Sequence, residues 1–384
     1  MRPILLAAAL LAATPAAASA EAKPTVYSSL PLHGASRSTT QAINRGARMA
    51  LRDAGSPVRF VALDDSTARA GAWTPSRAAG NARRVARDPS ALAFVGAFNS
   101  GASAVALPIL NRAGVPMISP TNTALGLTRD GAGAHRGEPG RYYPSGQRTY
   151  FRLMPNDSVQ GGALATAMRD RGCRAVASIT DSEIYGKGLG SWLRAYAQQI
   201  GVPVVKAQAI RARRSYRSLA RGLKAAGVDC VAYTGITAGG AVRVFKDVGA
   251  ALPKARLFGS DGVAETGLTA HLPRSVARRT FVIVSIMPGS AYPPAGQALL
   301  RRAGRNVDPD LLYGYEAMKL VTDAVAAGAR DKAGVLGFLR GVNGRQGVIG
   351  TYGFDANGDT TMKQFGLYVV RGGVLRSAGV VIAP

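Results

Sequence analysis

Apolar runs of a few residues alternate along this chain with stretches in which apolar positions recur every third or fourth residue. The runs TVYS (25–28), VRFVAL (58–63), LAFV (92–95) and VPMI (115–118) predict strands. Between the first two, residues 38–53 bring Ile43, Ala47, Ala50 and Leu51 to one face at helical spacing,. Residues 76–87 and 102–112 repeat that pattern, each closed by a Gly, Asp or Pro signal,. Repeated strand-helix-strand units predict a parallel sheet covered by helices on both faces.

The rhythm breaks at TRDGAGAHRGEPGRYYPSGQRTY (128–150), where glycine, proline and charge predict a surface loop,. Alternation then resumes, with strands predicted at 174–180, 204–207, 229–233, 256–258 and 281–286 and helices between them. Two similar blocks separated by a loop predict two α/β domains. Near the end, DANGD (355–359) joins two extended runs and predicts a hairpin-type turn,. It resembles the start of a calcium loop, but no glutamate stands at the twelfth position.

The first twenty residues, MRPILLAAALLAATPAAASA, have a single basic residue, an apolar centre and a terminal Ala-Ser-Ala. They predict a secretory signal peptide cleaved after Ala20. The apolar core is too short for a membrane span of about 20 residues, and no cysteine follows it for lipid attachment. The expected product is exported, periplasmic or secreted, and soluble. The remaining 364 of 384 residues suffice for two core-forming domains,. The formal charge is +26, yet the arginines are scattered singly or in pairs and no aromatic residues interleave with them. This argues for a solvated basic surface and against nucleic acid as a partner. Such a surface also admits weak attraction to cell-wall polymers or anionic lipid. Cys173 and Cys230 each precede an apolar run, so both are expected at strand starts. Export permits a disulfide between them; two separate buried thiols are the alternative.

Little in the chain points to catalysis. The three histidines, His33, His135 and His271, are far apart, and there is no HExxH, no G-x-S-x-G and no phosphate loop,. No metal or cofactor is expected. Binding groups are better supplied. In an open parallel sheet, ligands sit at the carboxyl ends of strands, where helix N-termini also point. GAFNSGASA (96–104) ends one strand with Ser100, and VPMISPTNT (115–123) ends the next with Thr121 and Thr123. Hydroxyls and free N–H groups there favour a carboxylate, each contact contributing ~0.3–2 kcal/mol. Ser, Thr and Asn also cap helices and make turns without any ligand. LFGSDGVAE (257–265) puts Asp261 just after another strand, as a partner for a cation or as a helix cap. Tyr185, after SITDSEI, offers an aromatic wall and a hydroxyl, or a core tyrosine.

Taken together, SSLPLHGASRSTTQAINRGARMAL, GAFNSGASAVALPILNRAGVPMISPTNT, DSEIYGKGLG, LFGSDGVAE and GYEAMKLVTDAV resemble the periplasmic branched-chain amino-acid-binding proteins of ABC transporters. The resemblance implies two doubly wound parallel-sheet lobes joined by three hinge crossings, near residues 150–153, 281–286 and 363–366. One lobe would comprise 21–150 and 284–363, the other 151–283 and 364–384. It implies that Ser100, Thr121 (through backbone groups) and Thr123 hold a ligand carboxylate, that Tyr185 flanks the ligand, and that Asp261 takes its ammonium. Relatives often carry glutamate at that acid, one methylene longer. An aromatic found in relatives after YTG stands here as Thr237. In this topology the strands after Cys173 and Cys230 are neighbours in a 2-1-3-4-5 order, which implies a disulfide across a 57-residue separation.

The resemblance thus implies a monomeric binding protein, not an enzyme, that hands a small amino acid of branched-chain type to an ABC permease in the membrane. An exported hydrolase acting on a small amide or peptide in the same cleft lacks a visible nucleophile–base pair. A sensory binding module lacks an accompanying DNA-binding or membrane segment.

Overall fold

The structure, a computed structural model, describes residues 23–383. The expected signal peptide at 1–20 lies outside the described residues.

The first half of the chain builds one sheet. Its elements are β1 (Thr25–Leu30), α1 (Arg37–Asp53), β2 (Arg59–Asp64), the short β3 (Ser66–Thr67) and β4 (Ala72–Trp73), α2 (Pro75–Arg87), β5 (Ala91–Gly96), α3 (Ser100–Arg112), β6 (Met117–Ser119) and β7 (Tyr150–Arg152). Five of these strands pair in parallel in the order β2-β1-β5-β6-β7. Every residue of β1 and β5 is buried, because helices cover a parallel sheet on both faces,. In α1 the expected face is turned to the core: Ile43, Ala47 and Ala50 are fully covered and Leu51 is half-buried against it. Local chemistry starts α2, where Pro75 stands at the first position and the Thr74 hydroxyl accepts from the Arg77 N–H,.

A second sheet follows from α4 (Asp157–Asp170), β8 (Val176–Thr180), α5 (Ile184–Gln199), β9 (Val204–Ala209), α6 (Arg217–Ala225), β10 (Cys230–Thr234), α7 (Ala241–Ala251), β11 (Arg256–Gly259), the one-turn α8 (Thr266–Thr269) and α9 (Arg274–Ala277), and β12 (Thr280–Val284). The chain then returns to the first half as α10 (Pro294–Ala303), α11 (Asp310–Ala326), α12 (Lys332–Arg340) and the paired β13 (Arg345–Gly347) and β14 (Gly350–Tyr352). It ends on the second sheet with β15 (Gln364–Arg371) and β16 (Val374–Ile382). The order is β16-β15-β12-β11-β10-β8-β9, parallel from β9 to β12 and antiparallel beyond. Both parallel portions therefore run 2-1-3-4-5. The chain passes between them three times, after β7, after β12 and before β15. The expected crossings overlap the ends of β7 and β12 and the start of β15. The first leaves its sheet after Arg152, so β7 belongs with the first half.

Two glycines set the spacing of α1 against α11. A Cβ on Gly46 would lie 1.9 Å from the Leu311 carbonyl oxygen, and one on Gly314 would lie 2.0 Å from that of Ile43. The helices touch backbone to backbone. Cys173 and Cys230 form a disulfide with S–S 2.06 Å, next to β8 and β10, which pair directly.

Two expectations change. Residues 128–150 do not form a wholly exposed loop. Glu138, Tyr142 and Tyr143 are buried, and the Tyr143 hydroxyl donates to the Leu127 carbonyl at 2.7 Å. DANGD is a turn, closed by the antiparallel bridge Phe354–Thr360. The strands on either side of it, β14 and β15, lie in different sheets, so it is part of a crossing and no two-stranded hairpin. Its acids serve that crossing. The fully buried Arg152 donates to Asp359 (Nε–Oδ1 2.7 Å), to the Ala124 carbonyl (2.8 Å) and to Thr128. Asn156 and Arg129 donate to the other Asp359 oxygen at 2.9 and 2.8 Å. The first and third crossings are thus tied by one buried ion-pair network.

Candidate ligand-binding site

The loops after β5 and β6 lie side by side because those strands are neighbours. Their polar residues divide into two groups. Asn122 accepts from Ser103 and from the Tyr150 hydroxyl (3.0 Å) and donates to the carbonyls of Ala97 (3.1 Å) and Phe98 (2.8 Å). The Ser119 hydroxyl donates to Ala97 O at 3.0 Å, and that of Thr121 to Phe98 O at 2.8 Å. These side chains knit the loops together. Ser100 is placed differently, at the first position of α3. Its oxygen accepts the Ala124 N–H at 3.3 Å, which leaves its proton available to donate. Asn99 caps α3 without a side-chain hydrogen bond, so the first-turn N–H groups stay open toward an anion,.

On the second sheet, Asp181 follows β8 and accepts from the N–H groups of Glu183 (3.0 Å) and Ile236 (2.8 Å). This carboxyl, pushed up to about 6 by burial, fixes the loops after β8 and β10 relative to each other. Tyr185 lies in the first turn of α5. That helix lies close to the sheet through Gly186, where a Cβ would meet Asp181 Oδ1 at 2.2 Å. The Tyr185 hydroxyl donates to Asp261 Oδ1, which also accepts the Gly262 N–H at 2.7 Å. Burial pushes Asp261 up to about 6, against the pull of Tyr185, Gln160 and Gly262. Burial, then the Asp261 charge, raise the Tyr185 hydroxyl well above its ordinary range.

Between the two sets of strand ends is a narrow cavity. Ser100, Thr121, Thr123, Tyr185 and Asp261 all line it, so five of the six expected residues come together. Phe98, Met154, Ile236, Val284 and Ile286 supply apolar wall. Thr237 is not part of the lining. It is buried, its hydroxyl has no hydrogen-bond partner, and its neighbour Ile236 faces the cavity instead. Sequence reasoning also missed Thr39, Glu183, Glu265 and Asp310. Glu265 was the final residue of the motif that carries Asp261, and its acid at a strand end was the available signal.

A model of the family described as periplasmic binding protein matches residues 28–374. The chain belongs to the periplasmic binding protein family. An amino acid binding protein of Pseudomonas aeruginosa is 27% identical to this binding protein over 88% of the chain and 87% of the relative. The structure is similar to that of the leucine binding protein LivK from Thermotoga maritima, with TM-score 0.81 and 20% identity over 94% of this chain and 99% of that one. It is similar too to LivJ from Streptococcus pneumoniae in complex with isoleucine, with TM-score 0.80 and 21% identity over 94% and 100%. No helix among the described residues of this binding protein is long and apolar enough to cross a membrane. Hydroxyls and N–H groups on one wall, an acid and a phenol on the other, and apolar surface between them form a site that can orient a zwitterion. No Lys, Arg, His or Cys is among the described residues lining it.

Proposed function

We propose that this chain is the extracytoplasmic substrate-binding protein of an ABC transporter, capturing a small amino acid of branched-chain type or a related zwitterion. The observation that carries the reading is the placement of Ser100 and Thr123 with Tyr185 and Asp261 around one cavity between two sheets. Ser100, Thr123 and the α3 N–H groups take the carboxylate, with Thr121 holding the loop that carries them. Asp261 takes the ammonium, and Tyr185 orients that acid. The ligand leaves unaltered, since no nucleophile–base pair faces it. The two halves hinge at the three crossings, and contacts to both halves shift the population toward the closed form, which a permease recognises. The protein acts as a monomer in the periplasm or outside the cell.

A thermal-shift screen of amino acids, amides, small acids and sugars, followed by calorimetry, tests this. An amino acid at 100 times its Kd should stabilise the protein by ~2.7 kcal/mol. It should bind one to one and be recovered intact. Stabilisation by sugars alone, or turnover of an amide, would contradict the reading.

A further inference from the structure

The cavity contains more acid than an ordinary zwitterion can answer. Glu183, Asp261, Glu265 and Asp310 all line it, and no base does. They come from three places: the loop after β8, the turn after β11, and the first position of α11. This occurs in a chain of formal charge +26, so composition does not favour it. The neighbouring Asp308 is already engaged, accepting from the Thr39 hydroxyl at 2.7 Å and the Asp310 N–H at 3.1 Å.

A second observation lies behind the lining. Asp157, fully buried at the start of α4, has no hydrogen-bond partner at either carboxyl oxygen. Its N–H donates to the Thr123 carbonyl at 2.7 Å, which places it against the cavity wall, and its carboxyl feels the charge of Asp261. Gln160, one turn further on, is also fully buried, beside Asp261. Burial, then the charges of Asp308, Asp261 and Glu265, push Asp310 well above the carboxylate range. Carboxyls gathered in this way repel unless protons or cations join them. A single α-ammonium neutralises one of them. Glu183, Glu265 and Asp310 then still line the same space, the last two in contact with each other's charge.

We propose that the ligand carries a second cationic group, making it a diamino carboxylic acid, with its α-ammonium on Asp261 and its side-chain ammonium between Glu265 and Asp310. This rests on the amino-acid reading of the same cavity and replaces the branched-chain preference with a basic one.

Calorimetry on the purified protein, freed of any carried ligand, compares L-lysine and L-ornithine with L-norleucine and L-leucine at pH 8. Norleucine has the length of lysine without the second charge. The expected result is at least tenfold tighter binding of lysine or ornithine than of norleucine. In Glu265→Gln and in Asp310→Asn, each first shown to be folded, that preference should shrink to a few-fold. Leucine or norleucine binding as tightly as the diamino acids would overturn the proposal while leaving the amino-acid reading standing. Binding of no α-amino acid would overturn both. A preference undiminished in both variants would overturn the assignment to Glu265 and Asp310.

Discussion

Asp261 meets the cavity with one oxygen held by the Tyr185 hydroxyl and the Gly262 N–H. Asp261→Asn removes the charge that faces the ligand's ammonium, and calorimetry should record a loss of ~3–5 kcal/mol, roughly 10²- to 10⁴-fold in Kd. Affinity unchanged within a few-fold would take Asp261 out of the site. The same carboxyl sets a pH dependence. Pushed up to about 6 in the unliganded protein, it is protonated below that pH and must release its proton to receive an ammonium. Affinity should therefore fall as pH drops below about 6 and level off above it; an affinity that rises toward pH 5 would contradict this. That Ser100, Thr123, Tyr185 and Asp261 line one cavity was legible in the sequence, because each lies within a few residues of the end of a strand, where a parallel sheet opens its crevice,. Asp310 was not: it reaches the cavity through the packing of α11 on α1, which no local pattern encodes. Glu183 follows β8 in the same loop as Tyr185, so its position carried the same signal. Thr237 was misplaced by one residue, since the turn after β10 aims Ile236 inward.

At the scale of elements, the first and third crossings are joined by a buried ion pair. Burial pushes Asp359 up, but Arg152 and Arg129 overcome it and hold the carboxyl below the ordinary range. Asp359→Asn leaves the fully buried Arg152 guanidinium without its counter-charge. Urea unfolding should show ~3–5 kcal/mol less stability. A loss below about 1 kcal/mol would mean the network is solvated and weak. The disulfide makes a separate prediction. Titration of denatured, unreduced protein should find no free thiol, and replacing both cysteines with alanine should cost about 4 kcal/mol for a separation of 57 residues,. Two titratable thiols would contradict the pairing. Strand and helix positions were readable from periodicity, as with the buried face of α1 and the apolar runs of β1 and β5. The ends were not: the 281–286 run continues smoothly from β12 into a crossing. DANGD looked like a hairpin because turn chemistry is local, whereas the destination of the two flanking strands is decided by distant partners.

For the whole molecule, buried carboxyls fix how stability follows pH. Burial raises Asp65 and Glu183 to about 7 and Asp181 and Asp261 to about 6, while in the unfolded chain such groups titrate near pH 4,. Between about pH 4 and 7 the folded state therefore binds more protons than the unfolded one, and stability falls as pH rises through that window. Asp53, Asp64, Asp88 and Asp359 are lowered and act in the opposite sense, but only near and below pH 4. Calorimetric unfolding of ligand-free protein should give a higher Tm at pH 5 than at pH 7.5; the reverse order would show that these acids are solvated. On the proposed reading, an ammonium on Asp261 stabilises the ionised carboxyl, so binding below about pH 6 should release a proton. The most direct test of the account is a crystal structure of the protein grown with the amino acid selected by calorimetry. The account predicts the ligand enclosed between the two sheets, its carboxylate within hydrogen-bond reach of Ser100 and Thr123 and its ammonium on Asp261. A ligand bound elsewhere, or lying in the cavity with its carboxylate toward Asp261, would contradict it.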